Sequence, residues 1–169
     1  MAFYQINHQF AGTLAGRELG LAGGPVVPKI FEVRSMPGAE PSPHTKRILV
    51  VEDNELNMKL LNDVLEAHGY EVMSTPRGEE AVEWARQHRP DLILMDLQLP
   101  DLSGLEATRQ LKTDQDTRDI PVIAVTAFAM AGDEKRALDH GCDAYVAKPI
   151  VLKNFLNLIA GFIGAPNRS

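Results

Sequence analysis

The sequence predicts an α/β fold around a parallel sheet, and three observations predict it. From Lys46 onward, short apolar runs alternate with segments of helical period, and strands that alternate with helices pair in parallel. The runs at residues 47–51, 92–95 and 121–125 are apolar on both faces, as strands covered by helices on both sides must be. Five such runs and five helical stretches follow one another in order, which makes the pattern (βα)5.

The first run, 47–51, leads into a helix capped by Asn54, whose side-chain oxygen suits the free amides of a first turn. Leu56, Leu60 and Val64 form its apolar stripe, Leu61 and Leu65 widen it, and His68 and Gly69 close it. Residues 70–74 are of mixed polarity and suit an edge strand. The second helix covers residues 78–88, with Ala81, Val82, Trp84 and Ala85 facing inward and Pro90 forcing the stop. Run 92–95 precedes a helix capped by Ser103, with Glu106 in capping-box spacing and Leu105 and Leu111 as apolar anchors. Run 121–125 precedes a helix from about Gly132 to His140. The last run, 144–147, precedes the most apolar helix, residues 151–163. The chain ends soon after it, so no output domain is expected within the chain.

Composition narrows the function classes. A chain of 169 residues, 44% hydrophobic, supports one well-buried core. Its formal net charge of -6 and lack of a basic block argue against nucleic-acid binding, which relies on clustered Lys and Arg. Cys142 stands alone, so an internal disulfide and a cysteine metal site are excluded and a reducing compartment fits. No apolar stretch approaches the roughly 18 residues of a membrane span, and residues 1–10 lack the charged start of a signal peptide. No membrane contact and a cytoplasmic location are expected. Residues 1–45 are rich in Gly and Pro without lasting periodicity, which reads as a disordered or weakly ordered extension. The domain is expected over residues 46–165, with a tail at 166–169.

In open parallel sheets, ligands bind beyond the carboxyl ends of the strands, where the strand order reverses. The first run ends in Glu52, Asp53 and Asn54, the third in Asp96, the fourth in Thr126, and the fifth in Lys148 and Pro149. A single acid at a strand end is most often a loop acid or a helix cap. Three converging carboxylates are different, because two unit charges about 4 Å apart repel by roughly 4 kcal/mol at an effective dielectric of about 20. Lys148 supplies one positive charge, and a hard divalent cation such as Mg²⁺ would supply the rest. A carboxylate held there can act as a nucleophile toward phosphorus. Phosphoryl transfer needs chiefly alignment and charge neutralisation, which Thr126 and Lys148 fit.

Val-Val-Glu-Asp-Asn at 50–54, Leu-Met-Asp-Leu-Gln-Leu-Pro-Asp-Leu-Ser-Gly at 94–104, Val-Thr-Ala at 125–127 and Ala-Lys-Pro-Ile at 147–150 resemble the successive motifs of the response-regulator receiver family. The likeness covers about residues 46–163 and is narrowest toward single-domain cell-division regulators of alphaproteobacteria. It implies a flavodoxin-like, doubly wound five-stranded sheet of order 2-1-3-4-5. It also implies Asp96 as phosphoacceptor, with Asp53, Glu52 through water, Asp96 and the Gln98 carbonyl as Mg²⁺ ligands, and Thr126 and Lys148 contacting the phosphoryl group. Glu52 replaces an Asp common at that position. Lys148-Pro149 would be cis, and Tyr145 would be the aromatic that moves from an exposed to a buried rotamer with Thr126. The implied protein is a two-component signalling domain that catalyses its own phosphorylation and slow dephosphorylation. Its implied donor is a sensor histidine kinase or histidine phosphotransferase, and its output is a protein partner.

Other chemistries share parts of the pattern. A flavodoxin-like cofactor binder would offer hydroxyls and amides after the first strand, where this chain has Glu52, Asp53 and Asn54. A Mg²⁺-dependent phosphatase acting on small molecules needs a second acid two residues beyond its nucleophile, where this chain has Gln98. His68 and His140 each precede Gly at a helix end and read as partners of the helix dipole. Cys142 reads as a buried small side chain. Phe128 and Met130, apolar directly after a functional strand end, read with Tyr145 as a partner surface on the fourth helix, fifth strand and fifth helix.

Overall fold

The computed structural model describes residues 45–127 and 133–166. The expectations for residues 1–44, for Phe128, Met130 and a helix start at Gly132, and for residues 167–169 lie outside the described residues.

The elements run β1 (Arg47–Val51), α1 (Glu55–Ala67), β2 (Glu71–Thr75), α2 (Gly78–His88), β3 (Leu92–Met95), α3 (Gly104–Thr113), β4 (Val122–Thr126), α4 (Asp133–Asp139), β5 (Ala144–Ala147) and α5 (Leu152–Ile163). All pairings are parallel, and the sheet order is β2-β1-β3-β4-β5, as the motifs imply. β2 lies one residue later than predicted because the Tyr70 amide donates to Leu65 O at 3.1 Å, closing α1 instead of joining the ladder.

Side chains alternate across a strand, and here the alternation splits the core in two. Leu49, Val51, Ile93, Met95 and Ala124 pack with Ala81, Val82 and Ala85 of α2, Ala107 and Leu111 of α3 and Ala137 of α4. Ile48, Val50, Leu94, Ile123 and Val125 pack with Leu61 and Leu65 of α1 and Phe155 and Ile159 of α5. Full burial of each large side chain among these contributes about 1.5–3 kcal/mol.

One predicted face is corrected. Leu61 and Leu65 face the sheet, whereas Leu56 is 80% and Leu60 62% exposed. Successive residues are about 100° apart around a helix, so Leu60 turns away once Leu61 faces inward.

The ends of the helices follow their chemistry. Asn54 Oδ1 accepts from the amides of Leu56 (3.1 Å) and Asn57 (3.0 Å), and Ser103 Oγ from that of Glu106 (3.3 Å). His68 and His140 each place Nδ1 2.7 Å from the carbonyl four residues back, which meets the expectation of a helix-end role. At the far end of the sheet, Lys112 Nζ donates to Ile120 O (2.8 Å) and Asp143 Oδ2 (2.7 Å), tying α3 to the starts of β4 and β5. Cys142 is fully buried, and burial pushes its thiol up to about 11. Among the described residues, no helix is long and apolar enough to cross a membrane.

Candidate functional site

Parallel register brings the strand ends level. Val51 lies opposite both Thr75 and Met95, and Thr126 opposite Ala147, so the residues that follow β1, β3 and β5 meet at one rim. Glu52, 2% exposed, and Asp96, 6% exposed, stand behind the exposed Asp53. One carboxylate oxygen from each of the three lies within 4.8 Å of the others.

Lys148 spans two of them. Its Nζ donates to Glu52 Oε2 at 2.5 Å and to Asp96 Oδ2 at 2.8 Å. Burial works against the ammonium charge, but the hydrogen bonds to Asp96 and Glu52 outweigh it and hold the lysine above its ordinary pKa. The Lys148-Pro149 bond is cis, as expected. Asp96 Oδ1 accepts from the Gln98 amide at 2.9 Å, so each oxygen of this carboxylate has a defined partner. Three carboxylates against one ammonium leave two negative charges over. A hard divalent cation with oxygen ligands would balance them, so the donor set suits Mg²⁺.

The loop from β3 to α3 is held at both ends. A Cβ on Gly104 would lie 2.0 Å from Asp96 O and 2.8 Å from Leu97 Cα, because the start of α3 is pressed onto the backbone of the acid itself. Further along, Asp101 accepts from the amides of Gly78 (3.0 Å) and Glu79 (3.2 Å), capping α2 from another loop where Arg77 offers no side-chain cap. Burial raises the Asp101 carboxyl, but the backbone hydrogen bonds prevail and bring it down to about 2. That cap therefore holds above the ordinary carboxylate range and is lost only as pH falls toward about 2.

Thr126, 1% exposed, lines a cavity of about 360 Å³ with Leu97, Gln98, Ser103, Leu105, Asp133 and Arg136. Tyr145, expected exposed before phosphorylation, is 7% exposed and packs in the core cluster of α2, α3 and α4. Glu52, Asp53, Asp96 and Lys148 are thus brought together, Gln98 follows on the same loop, and Thr126 stands at the end of the adjacent strand.

Three features were not anticipated. Asn57 Nδ2 donates to Glu52 Oε1 at 3.1 Å. Asp101 caps a helix remote in sequence. Leu56, Leu60, Val151 (54%) and Leu152 (43%) expose apolar surface at the rim ends of α1 and α5, which share one face of the sheet. The capping signature of Asn54 located α1 but gave no hint of Asn57. The exposed leucines were legible only as a stripe wider than one helix face can bury.

Comparison with known proteins decides the family. The family described as "Response regulator receiver domain" matches residues 48–160. The chain belongs to the response-regulator receivers. The receiver is 58% identical over 120 residues to the "Polar-differentiation response regulator DivK" of Brucella ovis, covering 71% of this chain and 98% of that protein. It is also similar to the receiver domain of a sensor histidine kinase from Pseudomonas aeruginosa, with a magnesium ion coordinated in the active-site cleft. The identity there is 37% and the TM-score 0.67, covering 72% of this chain and 99% of that one. A second similar structure is a receiver domain from Saccharomyces cerevisiae in complex with its upstream histidine phosphotransfer protein, at 31% identity and a TM-score of 0.64, covering 70% and 89%.

Proposed function

We propose that this receiver accepts a phosphoryl group on Asp96 from the phosphohistidine of a sensor histidine kinase or phosphotransferase, in a Mg²⁺-dependent reaction. The observation that carries the reading is the bridge of Lys148 between Glu52 and Asp96 beside the exposed Asp53. Asp53, Glu52 through water, Asp96 and the Gln98 carbonyl would hold the ion, which would supply positive charge to the phosphoryl oxygens. The Gln98 amide orients Asp96. An Asp96 oxygen forms the new bond to phosphorus as the phosphorus–nitrogen bond breaks and the imidazole leaves. Lys148 then shifts from carboxylate to phosphoryl oxygen, and Thr126 donates its hydroxyl to another; slow attack of water on phosphorus breaks the bond to the Asp96 oxygen, releasing inorganic phosphate and returning the carboxylate. Leu56, Leu60, Val151 and Leu152, exposed beside this rim, suit an apolar phosphodonor surface. Labelled phosphohistidine donor with Mg²⁺ is expected to give acid-stable, base-labile label on the chain, and chelation with EDTA to prevent it. Label of equal intensity under EDTA would overturn the reading.

The output we assign to a protein partner on the face of α4, β5 and α5, with Phe128 and Met130 as part of it, in cytoplasmic control of cell division or polarity. The identity to DivK supports that role. Thr126 drawn toward the phosphoryl group would couple to Tyr145. Full conversion of a two-state switch from 1:99 to 99:1 needs about 5.5 kcal/mol, but Tyr145 is already buried, so a graded shift is expected. With Mg²⁺ and beryllofluoride, amide shifts should extend from Asp96 to β5 in the wild type and contract to the rim in Thr126→Ala. Equal coupling in both proteins would rule the switch out.

A further inference from the structure

We propose that Asn57 is a positioning residue for the metal site, fixing the carboxylate of Glu52 so that one oxygen, Oε2, is turned toward Lys148 and the cation. The inference rests on the Mg²⁺ reading above and assigns a role to a side chain outside the acidic set.

Glu52 follows β1 directly, and its amide donates to Thr75 O at 3.2 Å. Its backbone is therefore fixed at the rim, but a glutamate headgroup has one more rotatable bond than an aspartate, and this one is 2% exposed. Two partners settle its pose. Lys148 takes Oε2 at 2.5 Å, and Asn57 Nδ2 takes Oε1 at 3.1 Å. Asn57 is itself held, because its backbone amide donates to Asn54 Oδ1 at 3.0 Å. The cap that starts α1 thus also aims the side chain that orients Glu52.

The chemistry of the donor matters. A buried carboxylate oxygen without a partner is costly, and a cationic donor would compete with the metal for the same charge. A neutral amide satisfies Oε1 and leaves the full negative charge available to Lys148 and the ion. Partners behind metal ligands typically account for about 10–100-fold in metal affinity. An Asp at this position, one methylene shorter, would leave Asn57 out of reach; the pairing of Glu52 with Asn57 is a matched set.

The test is a double-mutant cycle read by Mg²⁺ binding itself, with calorimetric titration of Mg²⁺ into full-length protein. Asn57→Ala is expected to weaken Mg²⁺ binding by about 10-fold in the wild-type background, the low end for such partners because Glu52 reaches the ion through water. In a Glu52→Asp background the same change should have an effect within about twofold, the ordinary scatter of independent sites. Damage to folding alone would appear in both backgrounds equally, which overturns the proposal. Asn57→Leu, of similar size and without the donor, serves the same comparison should the alanine variant fold poorly. Wild-type protein that binds Mg²⁺ while Asn57→Ala binds it equally well refutes the positioning role and leaves the metal reading intact. Wild-type protein that binds no Mg²⁺ refutes both.

Discussion

Asp96→Asn is expected to abolish phosphoryl uptake while leaving the fold in place. The substitution is isosteric, so the amide oxygen can keep the bond from the Gln98 amide that now measures 2.9 Å. What disappears is the negative charge and with it the nucleophile, since a carboxamide oxygen does not attack phosphorus at a useful rate. Lys148 loses its acceptor at Asp96 Oδ2 (2.8 Å), where the carboxamide nitrogen would stand, but keeps Glu52 as its partner at 2.5 Å, so the ammonium is not left buried without a counter-charge. Removing one of three clustered carboxylates also relieves repulsion of several kcal/mol at most. The lost attraction to Lys148 at 2.8 Å and the relieved repulsion between carboxylates oppose each other, so the thermal midpoint in the absence of Mg²⁺ should stay close to that of the wild type. Labelling from a phosphohistidine donor, followed by acid and base treatment, checks the first part, and calorimetry the second. Wild-type levels of base-labile label on Asp96→Asn would place the acceptor elsewhere.

Gly104→Ala is expected to be the most damaging single methyl group that can be added to this rim. The new Cβ would stand 2.0 Å from Asp96 O and 2.9 Å from Asp96 C, and both neighbours are backbone, with no flexible end to yield. Relief requires α3 to move away from β3, against the bond from Gly104 N to Leu97 O at 3.2 Å and that from Thr108 Oγ1 to Gly104 O at 2.7 Å. Overpacking of this kind costs about 1–3 kcal/mol, or a fall in Tm of roughly 4 °C or more per kcal/mol in a domain of this size. Because the displaced atoms belong to Asp96, phosphorylation should fall more steeply than stability. A variant with an unchanged Tm and a wild-type phosphorylation rate would show that the loop absorbs the methyl group.

Much of the fold was legible because strand and helix periods differ and the caps carry their own side chains. Asn54 and Ser103 sit next to the amides that they cap, and a reader of the sequence sees both partners at once. Asp101 does not cap its own helix, and nothing in the sequence over the 23 positions from Gly78 to it announces the contact. The acids and Lys148 were legible as strand endings, since one sheet must bring its carboxyl ends together. Asn57 was not, because its significance depends on how α1 is rotated about its axis, and a stripe as wide as this one leaves that rotation open. Of the wide stripe that the sequence offers, Leu61 and Leu65 face the sheet, while Leu56 and Leu60 do not. Shifting the inward face by one residue turns Leu56 and Leu60 outward, into the exposed apolar edge beside the rim.

The bridge made by Lys148 has a consequence for how the protein is made. Its two bonds join residues 96 and 52 positions apart in the chain, and contacts of such separation form late because long loops must close first. A nascent or truncated chain lacking β5 would carry the acids of β1 and β3 without their counter-charge, and so would repel any phosphoryl group brought to it. On the proposed reading, competence to receive a phosphoryl group arrives only once β5 has paired with β4 and brought Lys148 to the rim.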